Sequence, residues 1–186
     1  MTKYPLSCPY VIGQLEQHSE LKSQVLAAIN EQKEWEHLVE TEDAVDITRC
    51  DWSTSRYNYE REWLKILRPA LFEHLDKQTK LMGYAIFKIK EIWFQQYNNL
   101  SQHGWHVHAS NWTNVYYLDL PEGSPKTQFI NPFDQTTVAE FDVKEGDILT
   151  FPSFVVHKAP MNNSPYTKTI ISWNMDTELK PGLYSE

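Results

Sequence analysis

Leu21, Val25, Leu26 and Ile29 recur at helical spacing. With Ser19 as N-cap, they predict a helix from about Ser19 to Gln32. A second helical zone, Tyr59 to Lys80, carries Trp63, Ile66, Leu67, Leu71 and Leu75 as its buried stripe. Pro69 lies inside that zone and is expected to kink the helix or begin a new one, because proline fits a first turn and not an interior.

From Gly83 onward the pattern turns from helical to alternating. Ala85–Tyr97, Thr113–Leu120, Thr127–Ile130, Ala139–Val143, Asp147–Phe151 and Lys168–Met175 read as strands. Asn98-Asn99, Pro121-Glu122-Gly123, Asn131-Pro132, Glu145-Gly146 and the stretch from Asn162 to Pro165 punctuate them. Helices first and short strands later predict an α+β fold. The expected architecture is a two-sheet jelly roll braced by N-terminal helices, with helical support over about residues 1–82 and a β core over about 83–176. No repeat, linker or low-complexity tract divides the chain, so a single domain over residues 1–186 is expected.

Composition removes several classes of function. The formal net charge is -8 and nothing forms a basic stripe, which argues against general nucleic-acid binding. Cys8 and Cys50 do not make a disulfide framework, and reduced thiols are expected. Met1 to Gly13 lacks the basic start and apolar core of a signal peptide. No apolar run approaches the roughly 20 residues of a membrane span. The expectation is a cytoplasmic protein with no membrane partner.

The candidate chemistry lies in the β half. His106 and His108 are two apart, so on a strand both point to one side and can share an ion. His157 must come from a later strand, delivered by the turn, strand and proline of Gly146-Asp147-Ile148-Leu149-Thr150-Phe151-Pro152. Neutral imidazole suits iron, zinc, copper and nickel alike. Lys168 opens the last strand and shares a face with Ile170, Ser172 and Asn174. A cation there can hold the far carboxylate of a dicarboxylate by a charge-assisted hydrogen bond. His103 lies close by, so a simple histidine-rich loop is the competing reading of the triplet.

Over roughly Ile92 to Asp176 these residues resemble the iron(II)- and 2-oxoglutarate-dependent oxygenases. More narrowly, they resemble the prolyl-hydroxylase-like branch and its small phage and bacterial members. The resemblance rests on Trp105-His106-Val107-His108, Val115-Tyr116-Tyr117-Leu118-Asp119, Gly146-Asp147 through Phe151-Pro152 to His157, and Lys168 through Asn174. It implies a double-stranded β-helix with the metal at its open end. His106 and His157 match the two histidine ligands, and His108 occupies the slot usually held by a carboxylate. Lys168 matches the basic residue, usually Arg, that grips the 5-carboxylate of 2-oxoglutarate; lysine supplies the charge without the bidentate fork. Tyr97 and Tyr117 match tyrosines of the 2-oxoglutarate pocket, and Ser172 and Asn174 are further candidates.

The implied cofactors are Fe(II), 2-oxoglutarate and O2, and the implied reaction hydroxylates a small molecule or peptide, with a peptide or protein proline as the candidate, and releases succinate and CO2. Tyr116, Trp105, Trp112 and Trp173 are candidates to wall the substrate side. Two other readings stay open: a three-histidine cupin-like dioxygenase without 2-oxoglutarate, and a non-enzymatic metal-containing jelly-roll binding module.

Overall fold

The computed structural model describes residues 8–179; Met1–Ser7 and the last seven residues lie outside the described range. The eleven strands form two sheets. The larger has seven strands in the order β1 (Val11–Gln14), β9 (Asp147–Pro152), β6 (Trp112–Asp119), β11 (Lys168–Glu178), β4 (Ile86–Tyr97), β3 (Val45–Cys50) and β2 (Glu36–Glu40). The smaller has four, in the order β5 (His103–His106), β10 (His157–Ala159), β7 (Gln128–Ile130) and β8 (Val138–Glu140). This is the expected α+β jelly roll, and every ladder between named strands is antiparallel.

Strand β11 runs between β4 and β6, and strand alternation splits its side chains between two cores. Ile171, Trp173 and Met175 face α1 (His18–Glu31) and α2 (Glu62–Leu81). Ile170 faces the smaller sheet, as do Val115 and Tyr117 on β6 and Tyr97 on β4. Both faces of this sheet are therefore covered, which explains why β6, β9 and β11 read as near-continuous apolar runs.

The helices depart from expectation in detail. Helix α1 begins at His18, with Gln17 and not Ser19 at its cap, and no side chain caps it. Packing sets its start: the His18 ring is hydrogen-bonded to the Tyr116 hydroxyl at 2.7 Å. Pro69 sits inside one continuous helix, α2, and starts no new one. Of the expected stripe, Trp63, Leu67, Leu71 and Leu75 are buried, and Ile66 is only partly so.

The N-terminal part is not purely helical. Strands β1, β2 and β3 all fall before residue 82 and widen the larger sheet. They are short, and β2 and β3 carry Glu36, Glu40, Asp46 and Arg49 among their apolar residues, which hides the alternation. Val45 and Ile47 nevertheless bury one face of β3 in the core between the sheets. None of the described helices is long and apolar enough to cross a membrane.

Candidate metal centre

Three imidazoles meet at one edge of the gap between the sheets. Ligand-capable atoms of His106, His108 and His157 all lie within 4.8 Å of one another. His106 and His157 are register partners across the β5–β10 ladder. Nδ1 of His106 donates to the Gly104 carbonyl at 2.7 Å, and Nδ1 of His157 donates to the Val155 carbonyl at 2.9 Å. Both hydrogen bonds fix the tautomer and leave an Nε2 lone pair for an ion. His108 lies just past the end of β5, where its backbone N–H donates to the Ser153 carbonyl at 2.9 Å.

The electrostatics favour neutral ligands. Burial, reinforced by the neighbouring imidazoles, pushes His108 down to about 4 and His157 well below the usual histidine range. Burial also lowers His106, against the hydrogen bond to Gly104. Neutral rings with free lone pairs are the form that binds a divalent transition metal.

A fourth imidazole belongs to the same cluster. His103 stacks on His106 with ring centroids 3.7 Å apart and planes 11° apart. Residues three apart on a regular strand cannot stack. Here the ladder pairs His157 with His106 and Ala159 with His103, so three steps on β5 match two on β10. That bulge turns His103 toward His106. Gly104 sits within it, and a β-carbon there would lie 1.9 Å from the Asp43 carbonyl oxygen. The tip of the β2–β3 hairpin can seat against β5 only because position 104 has no side chain. Backbone hydrogen bonds between Asp46 and Gln102, at 2.9 and 2.8 Å, hold the same contact.

Two hollows adjoin the triad. An inner cleft of about 30 Å³ lies between the sheets, lined by the four histidines, Trp93, Gln95, Tyr97 and Ser172 among others. An outer cavity of about 290 Å³ adjoins His106 and His108, shares Trp93 and Gln95 with the cleft, and is walled by the β2–β3 hairpin.

The five residues expected to contact a co-substrate fall into two groups. Tyr97 and Ser172 line the inner cleft; Lys168, Tyr117 and Asn174 do not. Lys168 is 1% exposed and pairs with Tyr97 across the β4–β11 ladder. Its Nζ lies 4.7 Å from the Tyr97 ring centroid and donates to the Pro125 carbonyl at 3.1 Å. Burial pushes its amine down to about 7. Tyr117 spends its hydroxyl on Thr127, donating to Oγ1 at 2.7 Å, and burial raises its phenol to about 12. The Ser172 hydroxyl donates to Gln95 Oε1 at 3.1 Å. Asn174 donates to Glu91 at 2.8 Å and accepts from Thr113 at 3.2 Å.

Of the four aromatics expected on the substrate side, only Trp105 lines the outer cavity. Tyr116, Trp112 and Trp173 belong to the helix–sheet core, because alternation turns them to the opposite face from Val115 and Ser172. Trp52, Trp93, Gln95 and the β2–β3 hairpin line the cavity instead. Trp93 and Gln95 share the inward face of β4 with Tyr97, a signal present in the period-two pattern.

No protein-family model matches the sequence, and no curated protein is significantly similar to it. Solved structures do match. A prolyl hydroxylase from Trichoplax adhaerens, in complex with a hypoxia-inducible factor oxygen degradation domain peptide fragment, superposes with a TM-score of 0.65 at 16% identity, over 89% of this chain and 82% of that one. The viral collagen prolyl hydroxylase of Paramecium Bursaria Chlorella virus-1, in its 2-oxoglutarate complex, gives 0.58 at 14% identity, over 91% and 96%. An oxidoreductase of the 2OG-Fe(II) oxygenase family from Burkholderia pseudomallei gives 0.66 at 13% identity, over 89% and 84%. The chain therefore has the jelly-roll fold of the 2-oxoglutarate/iron(II) oxygenases.

Proposed function

We propose that this protein is an iron(II)- and 2-oxoglutarate-dependent oxygenase, a single catalytic domain, with His106, His108 and His157 holding the metal. The observation that carries this reading is the convergence of three neutral imidazoles at one edge of a cleft whose inner wall leads, through Tyr97, to a buried lysine. The donor set fits a divalent transition metal, with His108 in place of the carboxylate that iron oxygenases usually supply. When bound, iron and 2-oxoglutarate would supply the oxidation: O2 is consumed, 2-oxoglutarate is converted to succinate and CO2, and the substrate gains a hydroxyl.

The chain's own residues orient and enclose. Lys168 is the binding group for the far carboxylate. Its present hydrogen-bonding partner is one neutral carbonyl, a weak match for a buried cation. A cleft of about 30 Å³ holds little more than a water. Entry of 2-oxoglutarate therefore requires Lys168 to leave the Pro125 carbonyl and the Tyr97 ring to shift. Ser172 and Gln95 are poised on the cleft wall to contact the co-substrate, and Tyr117 and Asn174 support it from behind. Lys168 also favours this reading over a cupin-like dioxygenase, which gives a buried cation no task. The peptide held by the Trichoplax adhaerens enzyme supports a peptide substrate, with proline as the first residue to try. Two free cysteines fit a reducing, cytoplasmic setting.

The test is oxygen consumption and succinate release with iron(II) and 2-oxoglutarate, alongside the absorption band that appears when 2-oxoglutarate is added to the iron-loaded protein under nitrogen. Wild type should show the band and slow uncoupled turnover, and His106→Ala and His157→Ala should show neither. Tight zinc retention with no band would select the non-enzymatic binding module.

A further inference from the structure

The outer cavity carries a chemical signature of its own. Three indoles line it, those of Trp52, Trp93 and Trp105. Apart from the histidines, its only ionisable lining groups with a charge at neutral pH are Glu40 and Asp43. Both are exposed, and neither has an ion-pair partner among the described residues. No lysine or arginine lines the space. At about 290 Å³ it has room for one long side chain.

Indole is the best aromatic face for a cation, and desolvation strengthens the attraction. Lys158 Nζ lies 4.5 Å from the Trp105 ring centroid, so that indole already holds a cation and those of Trp52 and Trp93 are left for a ligand. Carboxylates at the mouth add attraction for a positive group and repel a negative one. Seating of the Asp43 backbone against Gly104 fixes the acidic hairpin tip relative to the histidine strand, so the charge is held in place. We propose that the outer cavity receives a cationic substrate group, an alkylammonium or guanidinium, with its alkyl chain packed along the indoles of Trp52 and Trp93. This names the substrate class of the oxygenase reading and rests on that reading for the fate of the bound chain, though not for its binding.

Calorimetric titration tests it. Three short peptides differ only at one central residue: lysine, norleucine, which keeps the methylenes and drops the ammonium, and proline. Cadaverine is the fourth probe. Each is titrated into the full chain loaded with iron(II) and 2-oxoglutarate under nitrogen, and into the metal-free protein. The lysine peptide should bind about tenfold more tightly than the norleucine peptide in both forms. That preference should weaken with salt and shrink several-fold in the Glu40→Gln/Asp43→Asn double variant, whose norleucine affinity stays unchanged. Cadaverine binding as tightly as the lysine peptide assigns the cavity to a free amine, and weaker binding assigns it to a peptide residue; both uphold the proposal. It is overturned if no cation binds, if norleucine or proline binds as well as lysine, or if the double variant keeps the preference in full. Failure of the oxygenase reading looks different: the 2-oxoglutarate absorption band is missing while the lysine preference persists.

Discussion

His106 and His157 face each other across the β5–β10 ladder, and each ring donates its Nδ1 proton to the carbonyl two residues before it. The two ligands are thus oriented by main chain, which no side-chain substitution elsewhere can delete directly. Replacing either histidine with alanine should cost more metal affinity than the roughly 10- to 100-fold typical of losing a hydrogen-bond partner behind a ligand. Cobalt(II) titration measured by visible absorption checks this. His108→Asp should retain metal where His108→Ala loses it, because a carboxylate at that position restores the commoner iron donor set. Equal retention by both variants would remove His108 from the ligand set.

Lys168 is expected to separate stability from binding. Burial lowers its amine to about 7, so the folded state disfavours the charged form. Its contribution to stability is full above the unfolded value near 10.5 and is lost as pH falls toward 7. Lys168→Met should therefore raise the melting temperature at pH 7 and remove the wild type's gain between pH 7 and 10. The same variant should weaken 2-oxoglutarate by about 10- to 100-fold, the worth of one charged hydrogen bond. Lys168→Arg should recover part of that affinity. A variant that is more stable and still binds 2-oxoglutarate normally would refute the anchoring role.

Acid should dissolve the centre in a defined window. Burial depresses the histidines of the cluster, His103 to about 3 and His108 to about 4, with His106 and His157 lowered as well. Their contribution to stability is present above the unfolded value near 6.5 and is lost as pH falls through the folded values. In the Lys168→Met variant, where the lysine no longer titrates, urea midpoints should be flat from pH 8 to 7 and fall steeply toward pH 4, while wild-type metal affinity should change little between pH 8 and 6. A steep loss of metal between pH 7 and 6 would mean that the rings titrate as ordinary surface histidines.

Gly104→Ala tests the bulge. The added carbon would meet the Asp43 carbonyl at 1.9 Å, so backbone must move. Overpacking of this kind costs about 1–3 kcal/mol. Because the displaced strand carries His103 and His106, metal affinity should fall along with melting temperature. A control at Gly123, where no atom lies within 4 Å of the added carbon, probes only the strain of its φ of +81° and should leave metal binding intact.

Much of this was legible in the sequence, for reasons that also mark where legibility ended. Strand alternation assigns Lys168, Ile170, Ser172 and Asn174 to one face, and the structure places Ile170 in the core between the sheets while Ile171 and Trp173 face the helices. The His-x-His spacing and the turn-strand-proline run point to three imidazoles that the structure brings within 4.8 Å. Alternation says nothing about depth along a strand, however. Lys168 and Asn174 share a face but not a cleft, because one sits at the start of β11 and the other beside its register shift. The β5 bulge was invisible, since it depends on a partner strand fifty residues away. The β2–β3 hairpin was hidden by its acidic residues, the same residues that give the outer cavity its charge.

The seat of Asp43 on Gly104 has a consequence for how such a protein can diverge. Contact there is made by a main-chain oxygen and a missing side chain, so it is indifferent to what the hairpin displays. Residues 39 to 43, all exposed, can change identity while the imidazole scaffold stays in register, provided that the loop keeps its length and position 104 stays bare. Selectivity and metal chemistry would then evolve on separate tracks, joined at a single point.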